Sequence, residues 1–107
     1  VTQTSALAKV HSLANMVAYQ EGAIVSRTLI NKTTGTVTLF AFDAGQSLTE
    51  HTSPYDALVY ILDGGADITV DGEVCRVHSG ESLLLPANHP HALRASERFK
   101  MLLIMIR

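Results

Sequence analysis

"GQSLTEHTSPYDALVYILDGG" occupies residues 45–65, and its reading decides the fold. Residues 56–62, DALVYIL, form a short apolar run rich in strand-forming side chains. Asp63-Gly64-Gly65 follows and reads as a turn that closes it. Within the run the odd positions, Ala57, Val59 and Ile61, and the even positions, Leu58, Tyr60 and Leu62, are all apolar. A strand with one wet face alternates apolar and polar residues, so this strand is expected to be covered on both faces. A small barrel has a single interior. The second cover must then come from another sheet layer, from the N-terminal arm or from a second subunit. A homodimer is the expectation, and cover by the arm alone is the alternative. Residues 101–106, MLLIMI, have the same double-sided character.

The rest of the chain reads the same way. Residues 24–30 and 36–42 are strand-like and flank the turn cluster NKTTG, which makes them a hairpin. Residues 66–70 and 73–78 flank Asp71-Gly72, a strong short hairpin signal. SGE makes a further turn, SLLLP a strand, ANHPH a tight corner, and HALRA and RFKMLLIMI the last strands. About nine short strands with turn signals every ~8–12 residues predict an all-β sandwich or barrel. Residues 1–22 are set apart as an N-terminal arm and residues 23–107 as the barrel. In the arm, Ala6, Leu7, Val10, Leu13, Ala14 and Val17 have the spacing of one or two short helical turns, with Ser12 positioned to cap the second.

Composition narrows the function. Hydrophobic residues make up 47% and charged residues 17%, and the formal net charge is -2. The charge is close to balance and no Lys/Arg cluster exists to follow a phosphate backbone, so nucleic acid is not an expected partner. The longest apolar run is too short to span a bilayer, so no membrane partner is expected. The N-terminal residues do not read as a signal peptide. Cys75 is the only cysteine, which favours a reducing compartment, and a cytoplasmic location is the expectation. Its alternation into an apolar strand with Val77 predicts a buried, inert thiol.

Two spacings then stand out. Gly45 is followed by five residues, His51, Thr52, Ser53, three more residues, Ala57, six more, and Gly64. Gly80 is followed by five residues, Pro86, Ala87, Asn88, His89, Pro90, His91 and, four further on, Ala95. Together they resemble the two motifs of the cupins, small β-barrel proteins. EHTSPYDAL and PANHPHAL also resemble a subgroup of short cupins with no common assigned reaction. The resemblance implies a double-stranded β-helix, or jelly-roll barrel, preceded by the short arm or helix. It also implies a metal site of three histidines and a glutamate. Here His51 and His91 keep two of those positions, while Ser53 stands for the second histidine and Ala57 for the glutamate. Asn88 replaces a glycine, and asparagine tolerates the left-handed backbone of a tight corner. Glu81 matches an acidic residue that often follows the second glycine, with a turn-stabilising role.

The metal expectation therefore rests on His51 and His91, with His89 as a third candidate and Ser53 and Ala57 lining the pocket. A catalytic transition-metal site uses about three protein ligands and leaves open positions. If His89 turns inward, a three-histidine centre for divalent iron, nickel, manganese, copper or zinc results. The plainer reading makes His89 a solvent-facing corner residue. In the metal-free alternative, His51 and His91 line the barrel and hydrogen-bond each other or a buried water. Even-odd parity sets Glu50 and Asp56 on the face opposite His51, unless the strand bulges. His11 and His78 are expected at the surface, Tyr55 and Tyr60 in packing or an interface, and Tyr19 and Arg27 at a pocket mouth.

Two classes of function follow. One is a metal-dependent enzyme, of oxygenase or isomerase type, acting on a small oxygen-bearing substrate. The other is a binding module that holds the polar end of a small-molecule ligand by hydrogen bonds. A dimeric scaffold without a ligand is the third reading.

Overall fold

The computed structural model describes residues 9–107. Eight antiparallel strands form the barrel: β1 (Ile24–Lys32), β2 (Gly35–Phe42), β3 (Ser47–His51), β4 (Asp56–Val70), β5 (Glu73–His78), β6 (Ser82–Leu85), β7 (His91–Arg94) and β8 (Phe99–Ile106). This is the expected all-β jelly roll. The first sheet runs β1-β2-β8-β4-β6, and the second runs β3-β7-β4-β5. β4 belongs to both. Among the described residues no helix is long and apolar enough to cross a membrane.

One sequence expectation fails here. Asp63-Gly64-Gly65 does not end a strand, because β4 runs on through it to Val70. Its first half pairs with β8 and β6 and its second half with β5 and β7. The composition of a turn is used instead to bend a strand from one sheet into the other. The pairing with β8 shifts register between Ile61 and Asp63, and Gly64 sits at φ 70°. A Cβ on Gly64 would collide with the backbone carbonyl of Arg98, so β8 passes where a side chain would have to be. The β5–β6 turn stitches the bend: Ser79 N donates to Gly64 O at 3.0 Å and Gly80 N to Ile61 O at 2.8 Å. Glu81 Oε1 accepts the His78 N–H at 2.8 Å within that turn, the role its motif position implied.

The odd positions of β4 point into the barrel. Val59 and Ile61 are fully buried with Phe42, Phe99, Ile68 and Met101. Phe42 and Phe99 stack with ring centroids 4.5 Å apart, a contact worth ~0.5–1.5 kcal/mol beyond the area it buries. The even positions point outward, and there the arm supplies part of the expected cover. Leu13, Met16, Val17 and Tyr19 pack on Leu39, Ala41, Leu62 and Leu102. The arm's only helical turn in this part is a 3-10 turn, Leu13–Asn15. Ser12 precedes it without a side-chain cap, and the Asn15 N–H bonds the Ser12 carbonyl instead. Ala6 and Leu7 lie outside the described residues, and Val10 is fully exposed.

Polar contacts hold the arm down. Tyr19 Oη donates to Asp63 Oδ2 at 2.5 Å, with the Arg98 and Lys100 cations over its ring. Arg27 Nη1 donates to the Met16 carbonyl at 3.1 Å. Tyr19 and Arg27, expected at a pocket mouth, are thus arm-docking residues. Burial, and then the Asp63 carboxylate, pushes the Tyr19 hydroxyl well above its ordinary range. Asp43 accepts the Gly22 N–H on one oxygen and Arg98 Nε on the other, each at 2.7 Å. The Gly22 hydrogen bond first, and then Arg98, holds its carboxyl below the ordinary value of 3.8.

Two predictions follow from this frame. Gly64→Ala is expected to cost at least ~2 kcal/mol in chemical denaturation, because it adds left-handed strain to a backbone collision. Asp43 has a folded-state pKa below its unfolded one. Its contribution to stability is therefore present above pH ~4 and is lost as pH falls through the lowered folded value. Asp43→Asn should lower the melting temperature at pH 7, and its melting curves should converge with those of the wild type on acidification below pH ~4.

Candidate functional site

The site is built where β3 meets β7. Leu48 pairs with Leu93, which is buried in the core. His91 lies two residues before Leu93 and faces the same interior, at 8% exposure. With a period of two, His51 would point away from the face of Leu48. The β3–β7 pairing shifts register between Leu48 and His51, and this bulge sets His51 directly opposite His91. The two rings meet edge to face, with centroids 4.4 Å apart. The inner ring is His91, and His51 stands at the exposed rim.

The hydrogen bonds define the chemistry. His51 Nδ1 lies 2.8 Å from the Thr49 carbonyl, and His91 Nδ1 lies 3.1 Å from the His89 carbonyl. A carbonyl only accepts, so both Nδ1 atoms carry a proton. In the neutral rings both Nε2 atoms are then left with a free lone pair. Each imidazole is oriented by the backbone two residues before it, the way metal-ligating histidines are commonly held. Two such Nε2 atoms can accept hydrogen bonds from one small molecule or share one cation.

The other candidates fall as follows. Ala57 is buried on the inner face of β4, beside Leu85 of β6 and Met105 of β8. The corner at residues 86–90 leads from Leu85 to His91, so Ala57 lies at the same end of the barrel as the histidine pair. It has no donor atom to offer. Ser53 lies in the link after β3, half-buried. Its Oγ accepts the Tyr55 N–H at 3.2 Å and its carbonyl accepts the Asn88 N–H at 2.7 Å. Asn88 takes the left-handed backbone at φ 66°. His89 is half exposed, and its Nδ1 lies 2.7 Å from Asp71 Oδ2. The structure therefore joins His89 to the β4–β5 turn and not to the other two histidines. Among the described residues, no group of three or more His, Cys, Asp or Glu side chains is placed to hold a metal ion.

Glu50 stays exposed. Asp56 turns to the corner, where Oδ1 accepts the Ala87 N–H at 2.9 Å. Tyr55 lies under the Arg107 cation, and Tyr60 is on the outer face. His11 and His78 are exposed as expected, and Cys75 is half-buried against the core. Asp71 is the residue that sequence reading missed at this end. Its Asp-Gly signal reads only as a hairpin turn, and nothing local links it to a corner eighteen residues on. Two surface concavities, of about 660 and about 360 Å³, lie elsewhere. One is between the arm and β1, beside Arg27, and the other is over β3, β7, β4 and β5, beside Arg94.

A two-sheet antiparallel barrel with paired histidines at one end defines a class of small jelly-roll proteins. The family described as "Cupin domain" matches residues 38–107, and the chain belongs to it. A conserved protein of unknown function from Streptococcus pyogenes is similar at 43% identity, covering 94% of this chain and 88% of that one, with a TM-score of 0.90. A cupin superfamily protein from Desulfitobacterium hafniense is similar at 31% identity and a TM-score of 0.88, covering 92% and 91% of the two chains. A Streptomyces cyaneus protein described as polyketide synthase CurC is 25% identical over 72 residues. The match takes in 66% of this chain, which spans 47%, about half, of that curated relative.

The tautomers are directly measurable. Long-range proton–nitrogen NMR at pH 8, above the ~6.5 of an ordinary histidine, should show both His51 and His91 protonated at Nδ1. An Nε2-protonated ring at either position would remove the paired acceptor.

Proposed function

We propose that the barrel binds a small molecule at its mouth, with the Nε2 atoms of His51 and His91 as paired acceptors for the ligand's polar end. The observation that carries this reading is the convergence of two carbonyl-oriented imidazoles at 4.4 Å. The apolar interior supports a site at the mouth. Phe42, Phe99, Ile61 and Met101 fill the centre and are buried, which leaves the ligand to sit against the histidines. The preferred ligand class is a compound with neighbouring hydroxyl groups, able to donate to both acceptors. The partial likeness to a polyketide synthase protein makes hydroxylated polyketide fragments the first compounds to try.

A divalent ion at the same two nitrogens is the second reading, favoured by the orientation of both Nδ1 atoms on backbone carbonyls. The residues present fit a two-histidine attachment and do not complete the four-ligand pattern of the family. Ala57 has no donor, the Ser53 hydroxyl is engaged by Tyr55 N–H, and His89 is held by Asp71. Water or the small molecule would fill the remaining positions. Such an ion would supply Lewis acidity to a bound oxygen. The protein's contribution is to hold the two imidazoles and to exclude water from the apolar side.

Titration of tag-free protein with hydroxylated compounds, and separately with zinc, nickel or manganese, tests both readings. A ligand at 100 times its dissociation constant stabilises by ~2.7 kcal/mol, and the His51 and His91 ring resonances should move with it. His51→Ala and His91→Ala should each weaken binding at least about tenfold, a loss of ~1.4 kcal/mol. If none of these probes moves the two rings, the site is barrel wall and the proposal fails.

A further inference from the structure

The concavity between the arm and β1 has a volume of about 660 Å³, within the ~300–1,000 Å³ of pockets that take small molecules. It belongs to the edge of the first sheet, whereas the histidine pair belongs to the second. Its floor is apolar. Leu13 and Met16 of the arm and Leu29 of β1 form it, half-buried where they pack on Val17, Leu39 and Ala41. Its rim is polar and basic, made by Lys9, His11, Arg27 and Thr28. A strand irregularity shapes it. The β1–β2 pairing passes from Thr28 and Thr38 directly to Ile30 and Val37, so Leu29 is an extra residue without a partner. A regular strand sends neighbouring side chains to opposite faces. The bulge lets the consecutive residues Arg27, Thr28 and Leu29 border one concavity.

The charge of the site is one-sided. The chain has a formal net charge of -2, and its 10 acidic residues all lie between Glu21 and Glu97. None of them lines this concavity. The ion pairs among the described residues use Arg76, Arg98 and His89, and neither Lys9 nor Arg27. Arg27 makes one side-chain hydrogen bond among those residues, from Nη1 to the Met16 carbonyl at 3.1 Å. A guanidinium carries more N–H groups than that one bond uses, and the rest remain to serve a ligand. We propose that this is a second ligand site, for a small carboxylate with an apolar tail. The Arg27 fork takes the carboxylate, as guanidinium groups commonly do. Lys9 adds charge, His11 and Thr28 add donors, and the tail lies on Leu13, Met16 and Leu29. The basic rim selects anions, and the apolar floor selects an amphiphile over an inorganic ion.

The test titrates the tag-free full chain with octanoate and follows backbone and side-chain resonances by NMR, so that the place of binding is read along with its affinity. Octanoate should half-saturate residues 27–29 below ~5 mM, while the His51 and His91 rings stay unmoved. Octanol and inorganic phosphate each carry one half of the ligand, and each should bind at least about tenfold more weakly. Arg27→Gln should weaken octanoate binding at least about tenfold. Arg27 also fastens the arm, so Lys9→Glu is the second variant. The Lys9 side chain makes no hydrogen bond or ion pair among the described residues. Its replacement should leave the circular dichroism unchanged and weaken octanoate about threefold or more. Failure to half-saturate residues 27–29 by ~5 mM overturns the proposal. So does equal binding of octanol or phosphate, or an affinity that Lys9→Glu leaves unchanged. Shifts confined to the two histidine rings would put octanoate at the barrel mouth, which overturns this site and leaves the mouth proposal standing.

Discussion

The structure depends on the close approach of the Arg98–Phe99 backbone to Gly64. Where β8 crosses β4, no Cβ fits. That absence lets one fifteen-residue strand leave the first sheet and enter the second without losing its pairing. Before the bend, β4 is the neighbour of β6 and β8, and after it the neighbour of β5 and β7. The two sheets therefore share a continuous strand, and the core between them needs no separate closure. The Phe42–Phe99 stack sits beside the bend, at the residue that pairs with Gly64.

The histidine site depends on a second backbone irregularity. A regular β3 would send His51 outward, and the bulge after Leu48 brings it to His91. The backbone then does further work at the atomic level, since each ring is fixed by a carbonyl two residues earlier. The result is a pair of aligned nitrogen acceptors at the rim of an apolar barrel. Compared with the four-ligand pattern of its family, this chain has kept the rings and replaced the other donors with a small apolar group and an engaged hydroxyl.

The double-sided strands have two kinds of cover. Toward the bend, the arm lies over the sheet and is held by Tyr19, Asp43, Arg98 and Lys100. Toward the mouth, the sheet presents aliphatic side chains without cover from the described residues. One sheet is thus divided along its strands into a part packed by the arm and a part that the described residues leave open.

Some of this was legible in the residues themselves. The turn chemistry and the apolar runs determined an all-β barrel, because turn preference and alternation are local properties that short windows display, whereas the nearness of His51 and His91 was implied only by the resemblance of two motifs some forty residues apart. Asn88 in a glycine's place was readable for the same reason. What only the tertiary structure decided was non-local. The Asp63-Gly64-Gly65 segment is a bend and not a turn because β8 packs against it, which no window around Gly64 reveals. His89 goes to Asp71 because a corner and a hairpin turn meet in space. The phase of His51 was set by a bulge that leaves no mark in composition. Periodicity reports what a strand repeats, and these three features lie where the repeat is broken by a contact from far along the chain.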